Sequence, residues 1–180
     1  FRKQFKGALR VLGEAPLLPR VLAFAEKEGQ QEDNKYVTFR IGTEEYGIEI
    51  DFVKEIVGIQ KVTNVPDMPQ YIKGVINLRG EVIPIIDVRI RFRYEEIPYN
   101  DRTCIIIIHI GEAVIGLIVD EVSEVMDIPK KNIAPPPKAS AKSKNRFIKG
   151  IGKIGDNIKI LLDVEKIFSD EEMADIESVA

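Results

Sequence analysis

YIKGVINLRGEVIPIIDVRIRF, residues 71–92, is two apolar runs around a charged turn. Tyr71 to Leu78 leads into Arg79-Gly80-Glu81, and Val82 to Val88 leads out. Short runs rich in Val and Ile, bounded by a glycine turn, predict a β-hairpin. The stretch recurs as FIKGIGKIGDNIKILLDVEKIF, residues 147–168, at a constant offset of 76 and without a gap. Ile72, Lys73, Gly74, Asp87, Val88 and Phe92 meet Ile148, Lys149, Gly150, Asp163, Val164 and Phe168. Upstream, YVTFRIGTEEYGIEIDFVKEIVGI (36–59) runs along CIIIIHIGEAVIGLIVDEVSEVMDI (104–128), at an offset of 69 from Gly42 onward. There Gly42, Gly47, Asp51, Val53, Glu55 and Ile59 meet Gly111, Gly116, Asp120, Val122, Glu124 and Ile128. The offset grows because connector 129–146 has 18 residues where connector 60–70 has 11. Two ordered blocks and one indel mark the chain as a duplicated β unit.

Each unit supplies four or five short strands, and a sheet that small leaves unpaired edges unless it closes. Closure into a small barrel removes the edges and fills the interior with side chains. The expectation is two small barrels packed side by side, with a cleft between them. Residues 36–92 form the first repeat and 104–168 the second, and the barrels are free to exchange elements. Thr103 to Ile110 is an almost continuous apolar strand, which implies cover on both faces. DFVKEIVGI (51–59) fits a helical turn and a strand equally well. Ser169 to Glu172 has capping-box spacing and predicts a C-terminal helix over 169–180 with Met173 and Ile176 inward.

Residues 1–35 stand outside the duplication. Residues 1–22 hold five basic side chains and one acid, with Phe1, Phe5, Ala8, Leu9 and Leu12 on one helical face. The segment reads as an amphipathic anchor, a tag or a family-specific tail. The longest apolar run falls far short of the roughly 20 residues that span a bilayer, so no direct membrane insertion is expected.

Catalytic patterns fail one by one. Net charge is −3, Trp is absent and the strands carry Val and Ile, so nucleic-acid binding by basic grooves and stacking aromatics is not expected. One cysteine and one histidine make neither a disulfide framework nor a metal cluster. Gly150-Ile151-Gly152-Lys153-Ile154-Gly155 lies in a strand and hairpin turn rather than at a helix start, so it is not a phosphate loop. His109 reads as a strand residue. Asp87 and Asp163 occupy equivalent positions, as do Asp51 and Asp120, and all four read as turn caps rather than as a carboxylate pair. No cofactor is called for. What remains is surface. Arg79 sits at a hairpin tip where the second repeat has Gly155, so the charge belongs to one unit only. Such an arginine is either solvated or an interface anchor. Val53 reads as core or contact, and Glu55 as solvated charge or contact.

EEYGIEI, VKEIVG, YIKGVINLRGEVIPIIDVRIRF and GLIVDEVSEV together resemble the bacterial chemotaxis coupling protein family, CheW, over roughly 36–176. The most specific element is GVINLRGEVIPIIDV. The resemblance implies two SH3-like five-stranded barrels and a non-catalytic adaptor. Its partners would be the cytoplasmic hairpin tip of chemoreceptors and the regulatory domain of a histidine autokinase, in the cytoplasm at the inner face of the membrane. Carried over position by position, the receptor-binding residues are Val53, Glu55, Gly74, Arg79 and Val125. The kinase-binding set falls at Ile133, Ala134, Pro135 and Lys138; near Ala134 to Ala139 this chain has small residues where the resemblance implies bulky or charged ones. The same signature also occurs as a module of larger kinases and of receiver-fused coupling proteins, which is the alternative reading.

Overall fold

The computed structural model describes residues 11–12, 35–137 and 146–180. The first strand, β1 (Val11–Leu12), is only two residues long. The first repeat gives β2 (Lys35–Ile41), β3 (Glu44–Glu49), a 3₁₀ turn (Ile50–Phe52), β4 (Val53–Gly58), β5 (Ile72–Leu78), β6 (Glu81–Asp87) and the single-turn α1 (Val88–Arg91). The second repeat gives β7 (Cys104–Ile110), β8 (Ala113–Val119), β9 (Glu121–Asp127), β10 (Ile133–Ala134), β11 (Ile148–Ile154) and β12 (Asn157–Leu162), then the C-terminal α2 (Asp170–Ser178). The ambiguous 51–59 stretch resolves into both of its readings in sequence: a 3₁₀ turn ends at Phe52 and the strand starts at Val53. β2 begins at Lys35, one residue inside the expected extension.

Two sheets form, ordered β1-β4-β7-β8-β6-β5 and β10-β11-β12-β3-β2-β9. Neither is built from one repeat. Barrel one combines β4, β5 and β6 of the first repeat with β7 and β8 of the second. Barrel two combines β9 to β12 of the second with β2 and β3 of the first. The crossing points are two parallel pairs at equivalent positions, Ile85 beside Gly116 and Leu161 beside Gly47. Both positions are tight, Gly116 more than Gly47. A Cβ on Gly116 would lie 2.6 Å from Ile85 Cδ1, and one on Gly47 would lie 2.9 Å from Leu161 Cδ2.

Barrel closure comes from the connectors. Thr63, in the loop after β4, exchanges two backbone hydrogen bonds with Val75 on β5, at 2.8 and 2.9 Å. In barrel two, β10 pairs Ala134 with Ile151, the position equivalent to Val75. The connector must cross the strand closely, and this explains a second glycine pair. Gly74 has φ +141, and a Cβ there would lie 1.9 Å from the Thr63 carbonyl oxygen. At Gly150 it would lie 2.7 Å from Ile133 Cγ2.

The core has three parts. β7 shows the partition: Cys104, Ile106 and Ile108 face the large cluster between the sheets, while Ile105 and Ile107 fill barrel one. The strand is thus covered on both faces, as its composition predicts. Barrel one is lined by Val57, Ile76, Leu78, Ile83, Ile85, Ile105, Ile107 and Ile118. The corresponding cluster of barrel two is smaller, Tyr36, Ile128 and Leu161. The barrels are joined at one end by Arg89. Its Nε and Nη2 donate to the two carboxylate oxygens of Asp120, both at 2.8 Å, and Asp120 accepts from Gly42 N at 2.7 Å. Asp120 therefore ties the repeats together rather than capping its own turn. Asp87 and Asp163 do cap, accepting from Arg89 N and Glu165 N. Ser169 and Glu172 form the predicted capping box; Ile176 is buried and Met173 packs against the core.

Candidate functional site

The β5–β6 hairpin turns in two residues, Arg79 with φ +52 and Gly80 with φ +87. Two positive φ values give the turn whose twist matches the flanking strands. Asn77 Oδ1 accepts from Gly80 N at 2.8 Å and fixes the turn. For arginine the left-handed region costs about 1–2 kcal/mol, so this side chain is held by something. Arg79 Nη2 donates to both carboxylate oxygens of Glu55, at 2.7 and 2.8 Å. Arg79 remains 49% exposed while the Glu55 side chain is only 8% exposed. Glu55 is therefore not a solvated charge. It is a buried carboxylate whose compensating cation comes from a hairpin 24 residues away in the chain.

A β-bulge puts it there. The pairing of β4 with β7 shifts between Val53 and Glu55, so Val53 stands opposite Ile108 and Glu55 opposite Ile107. Ile108 faces the cluster between the sheets and Ile107 faces the barrel interior. In a regular strand, residues two apart share a face; here Val53 turns inward between the barrels and Glu55 turns to the rim below Arg79. The equivalent bulge in barrel two sets Glu124 opposite Thr38. With Gly155 at that hairpin tip, no arginine reaches Glu124. The charge pair is an acquisition of one barrel.

The remaining sequence-derived positions separate. Val53 is 4% exposed and Val125 is 0% exposed, both within the cluster between the sheets. Gly74 is covered by the Thr63 carbonyl. Of the receptor set, the structure brings Glu55 and Arg79 into contact, and only Arg79 presents a side chain to solvent. Val53 and Gly74 lie on β4 and β5 of barrel one, whereas Val125 lies on β9 of barrel two. Ile133 and Ala134 are half-buried on β10, and Pro135 is exposed beside them. Lys138 lies outside the described residues, as does the 1–35 segment except Val11, Leu12 and Lys35.

Sequence reasoning passed over Val82. It is 47% exposed, two residues beyond the turn arginine's glycine, and its equivalent Ile158 is 59% exposed. The signal was available in the alternation: an apolar residue beside the turn of each hairpin, preserved at the offset of 76. His109 behaves as a strand residue, its Nε2–H donating to the Asp51 carbonyl at 2.8 Å. Among the described residues no group of three His, Cys, Asp or Glu side chains is placed to hold a metal.

The model of the CheW-like domain matches residues 35–172. The chain is 39% identical over 152 residues to the chemotaxis protein CheW of Klebsiella aerogenes, covering 84% of this chain and 92% of that protein. It is 36% identical to the CheW of Bacillus subtilis, covering 76% of this chain and 88% of that protein. Among solved structures, the scaffolding protein TtCheW of Thermoanaerobacter tengcongensis superimposes with a TM-score of 0.70 at 35% identity, covering 77% of this chain and 94% of that one. With the exchanged double barrel and the Arg79 hairpin in place, these matches decide the relationship: this chain belongs to the CheW-like domain family.

Proposed function

We propose that this chemotaxis coupling adaptor binds the cytoplasmic hairpin tip of chemoreceptors through the rim of barrel one, and the regulatory domain of a histidine autokinase through the other barrel. One observation carries the receptor assignment. Arg79 is held by Glu55 through Nη2 while half of its side chain stays exposed, and Val82 on the same hairpin is exposed as well. A preorganised arginine next to an apolar side chain is a common anchor of protein interfaces. A receptor tip is a helical hairpin, and its carboxylates or C-terminal carbonyls supply acceptors for a guanidinium. The receptor set also includes Val53 and Gly74 of barrel one and Val125 on β9 of barrel two, Val53 and Val125 being in the same buried cluster. For the kinase, the β10 turn offers Ile133, Ala134 and Pro135, with Lys138 next in the chain.

The chain acts by holding partners rather than by chemistry, as the scaffolding role named for its relatives suggests. Among the described residues no helix is long and apolar enough to cross a membrane. We place the adaptor at the inner face of the membrane through its receptors. The reading as a module of a larger kinase is not favoured by relatives that carry the adaptor's own name. Single adaptor contacts of this kind bury about 1,200 Å² or less and gain strength from arraying.

The test is co-sedimentation of the full chain with a receptor cytoplasmic fragment, and separately with the kinase. Arg79→Ala should abolish most receptor co-sedimentation and leave kinase binding intact. Normal receptor binding by a folded Arg79→Ala chain would overturn the assignment.

A further inference from the structure

The duplication provides an internal reference for what each surface meets. Phe168 of the second repeat stacks on Tyr71 of the first, with ring centroids 6.0 Å apart. At the equivalent place Phe92 of the first repeat stacks on Phe147 of the second, at 4.7 Å with the rings 3° apart. After Phe168 the chain enters α2, whose Ile176 is buried and whose Met173 packs against the core. Arg91 reaches from the other repeat to the Ile167 carbonyl and Glu172 of that same segment. On that side Ile72, Pro84 and Ile115 are all buried.

On the other side, the chain after Phe92 turns at Arg93, φ +65, and leaves as an irregular connector. Ile148 and Ile160, the equivalents of Ile72 and Pro84, are only half-buried, and so is Phe92. Together with Arg93, with Tyr94 of the connector, whose hydroxyl is hydrogen-bonded to that of Tyr46, and with the buried Tyr46 and Phe147, they line an open cavity of about 310 Å³. Among the described residues no helix lies over it.

We infer that this cavity is the docking site of an acidic amphipathic helix from a partner protein. The fold itself states the occupant, because the equivalent surface is covered by such a helix. In α2 the apolar Met173 and Ile176 are three residues apart and flanked by Asp170, Glu171, Glu172 and Asp175. Residues three or four apart project from one helix face, which is how helices seat in grooves. Arg93 is exposed at the cavity's edge and selects acidic flanks. The basic segment 1–22 of the same chain, with five cations and one acid, carries the wrong charge for that edge. The site shares no residue with the Arg79 face, so this inference stands or falls separately from the receptor assignment.

The probe is a stapled helical peptide of residues 169–180, titrated into the full chain labelled at isoleucine methyls. Saturable shifts of Ile148 and Ile160, with Ile72 and Ile176 unmoved, are expected. Arg93→Glu should weaken binding roughly fivefold, and a peptide carrying Glu171→Lys and Glu172→Lys should regain it on that variant. Three results would each overturn the inference. One is the absence of a saturable shift at Ile148 and Ile160. Another is shifts at Ile72 and Ile176 alone, meaning that the peptide merely displaces α2. The last is movement of Ile148 and Ile160 on deletion of residues 1–34 before peptide is added, meaning that the chain's own N-terminal segment fills the cavity.

Discussion

Arg79 and Glu55 make one device out of two residues that are far apart in the chain. The hairpin tip was legible from Arg79-Gly80 alone, because only a few residue pairs suit a two-residue turn. Its partner was not. Val53 and Glu55 alternate like neighbours on one strand face, and nothing in VKEIVG announces the bulge that separates them. The ion pair changes what a substitution does. At a solvated tip, Arg79→Glu would shift stability by no more than about 0.5 kcal/mol. Here it sets a second carboxylate against a side chain that is 8% exposed. It should therefore cost about 1–3 kcal/mol, the usual penalty for leaving a buried polar group unsatisfied. Urea unfolding of Arg79→Glu and of the exchanged pair Arg79→Glu/Glu55→Arg checks this. The double variant should recover part of the loss, and two additive losses would show that the pair is not coupled.

Among the elements, the connectors and α2 carry constraints that composition only hinted at. The repeat marked Gly74 and Gly150 as equivalent, but the reason is a backbone crossing 11 residues upstream, which no local pattern encodes. The two glycines are not equally demanding. Gly74→Ala meets a carbonyl oxygen at 1.9 Å and a φ of +141, whereas Gly150→Ala meets Ile133 Cγ2 at 2.7 Å and the Ala134 carbonyl oxygen at 3.0 Å without a positive φ. Gly74→Ala should cost about 3 kcal/mol or more, and Gly150→Ala about 1–2 kcal/mol, measured as urea midpoints. Connector 60–70 should also lose amide protection in Gly74→Ala alone. The helix α2 was written plainly in Ser169 to Glu172, since a capping box is a purely local signal. Burial by itself would raise the Glu172 carboxyl, but the Ser169 backbone N–H and the Arg91 guanidinium outweigh it and hold it below the ordinary carboxylate range. A carboxylate depressed on folding adds stability above its unfolded value and loses it as pH falls through the folded one. The protection factors of the α2 amides, exchange rates corrected for the intrinsic pH dependence, should therefore fall as the pH drops through the carboxylate range in the native chain. In Glu172→Gln that acid step should be absent; an unchanged step would assign it to another group.

At the scale of the molecule, the duplication was legible and the exchange of strands was not. Each repeat offers the same apolar faces, and pairing β6 with its own repeat or with β8 would satisfy the hydrophobic pattern equally. The exchange brings a small residue, Gly47 or Gly116, to each of the two crossing points, where the partner strand's side chain lies close. The exchange leaves two interiors that have diverged. Where barrel one has Ile83, barrel two has Lys159, 4% exposed and ion-paired with Glu45. Ile107 is replaced by Thr38, bonded to the Glu124 carbonyl, and Ile76 by Gly152. Burial pushes the Lys159 ammonium below its usual pKa, so its charged form is disfavoured in the folded chain. Replacing a buried charge by an apolar side chain of similar length is often neutral or stabilising, by about 1–4 kcal/mol. The Glu45 side chain is 31% exposed and stays hydrated without its partner. Lys159→Met should therefore raise the urea midpoint by an amount equivalent to about 1 kcal/mol. Ile83→Lys, the reverse change in barrel one, has no carboxylate prepared for it and should cost several times more. If Lys159→Met lowers the midpoint instead, the Lys159–Glu45 pair is a net stabiliser of barrel two, and its polar interior is held together by charge rather than in spite of it.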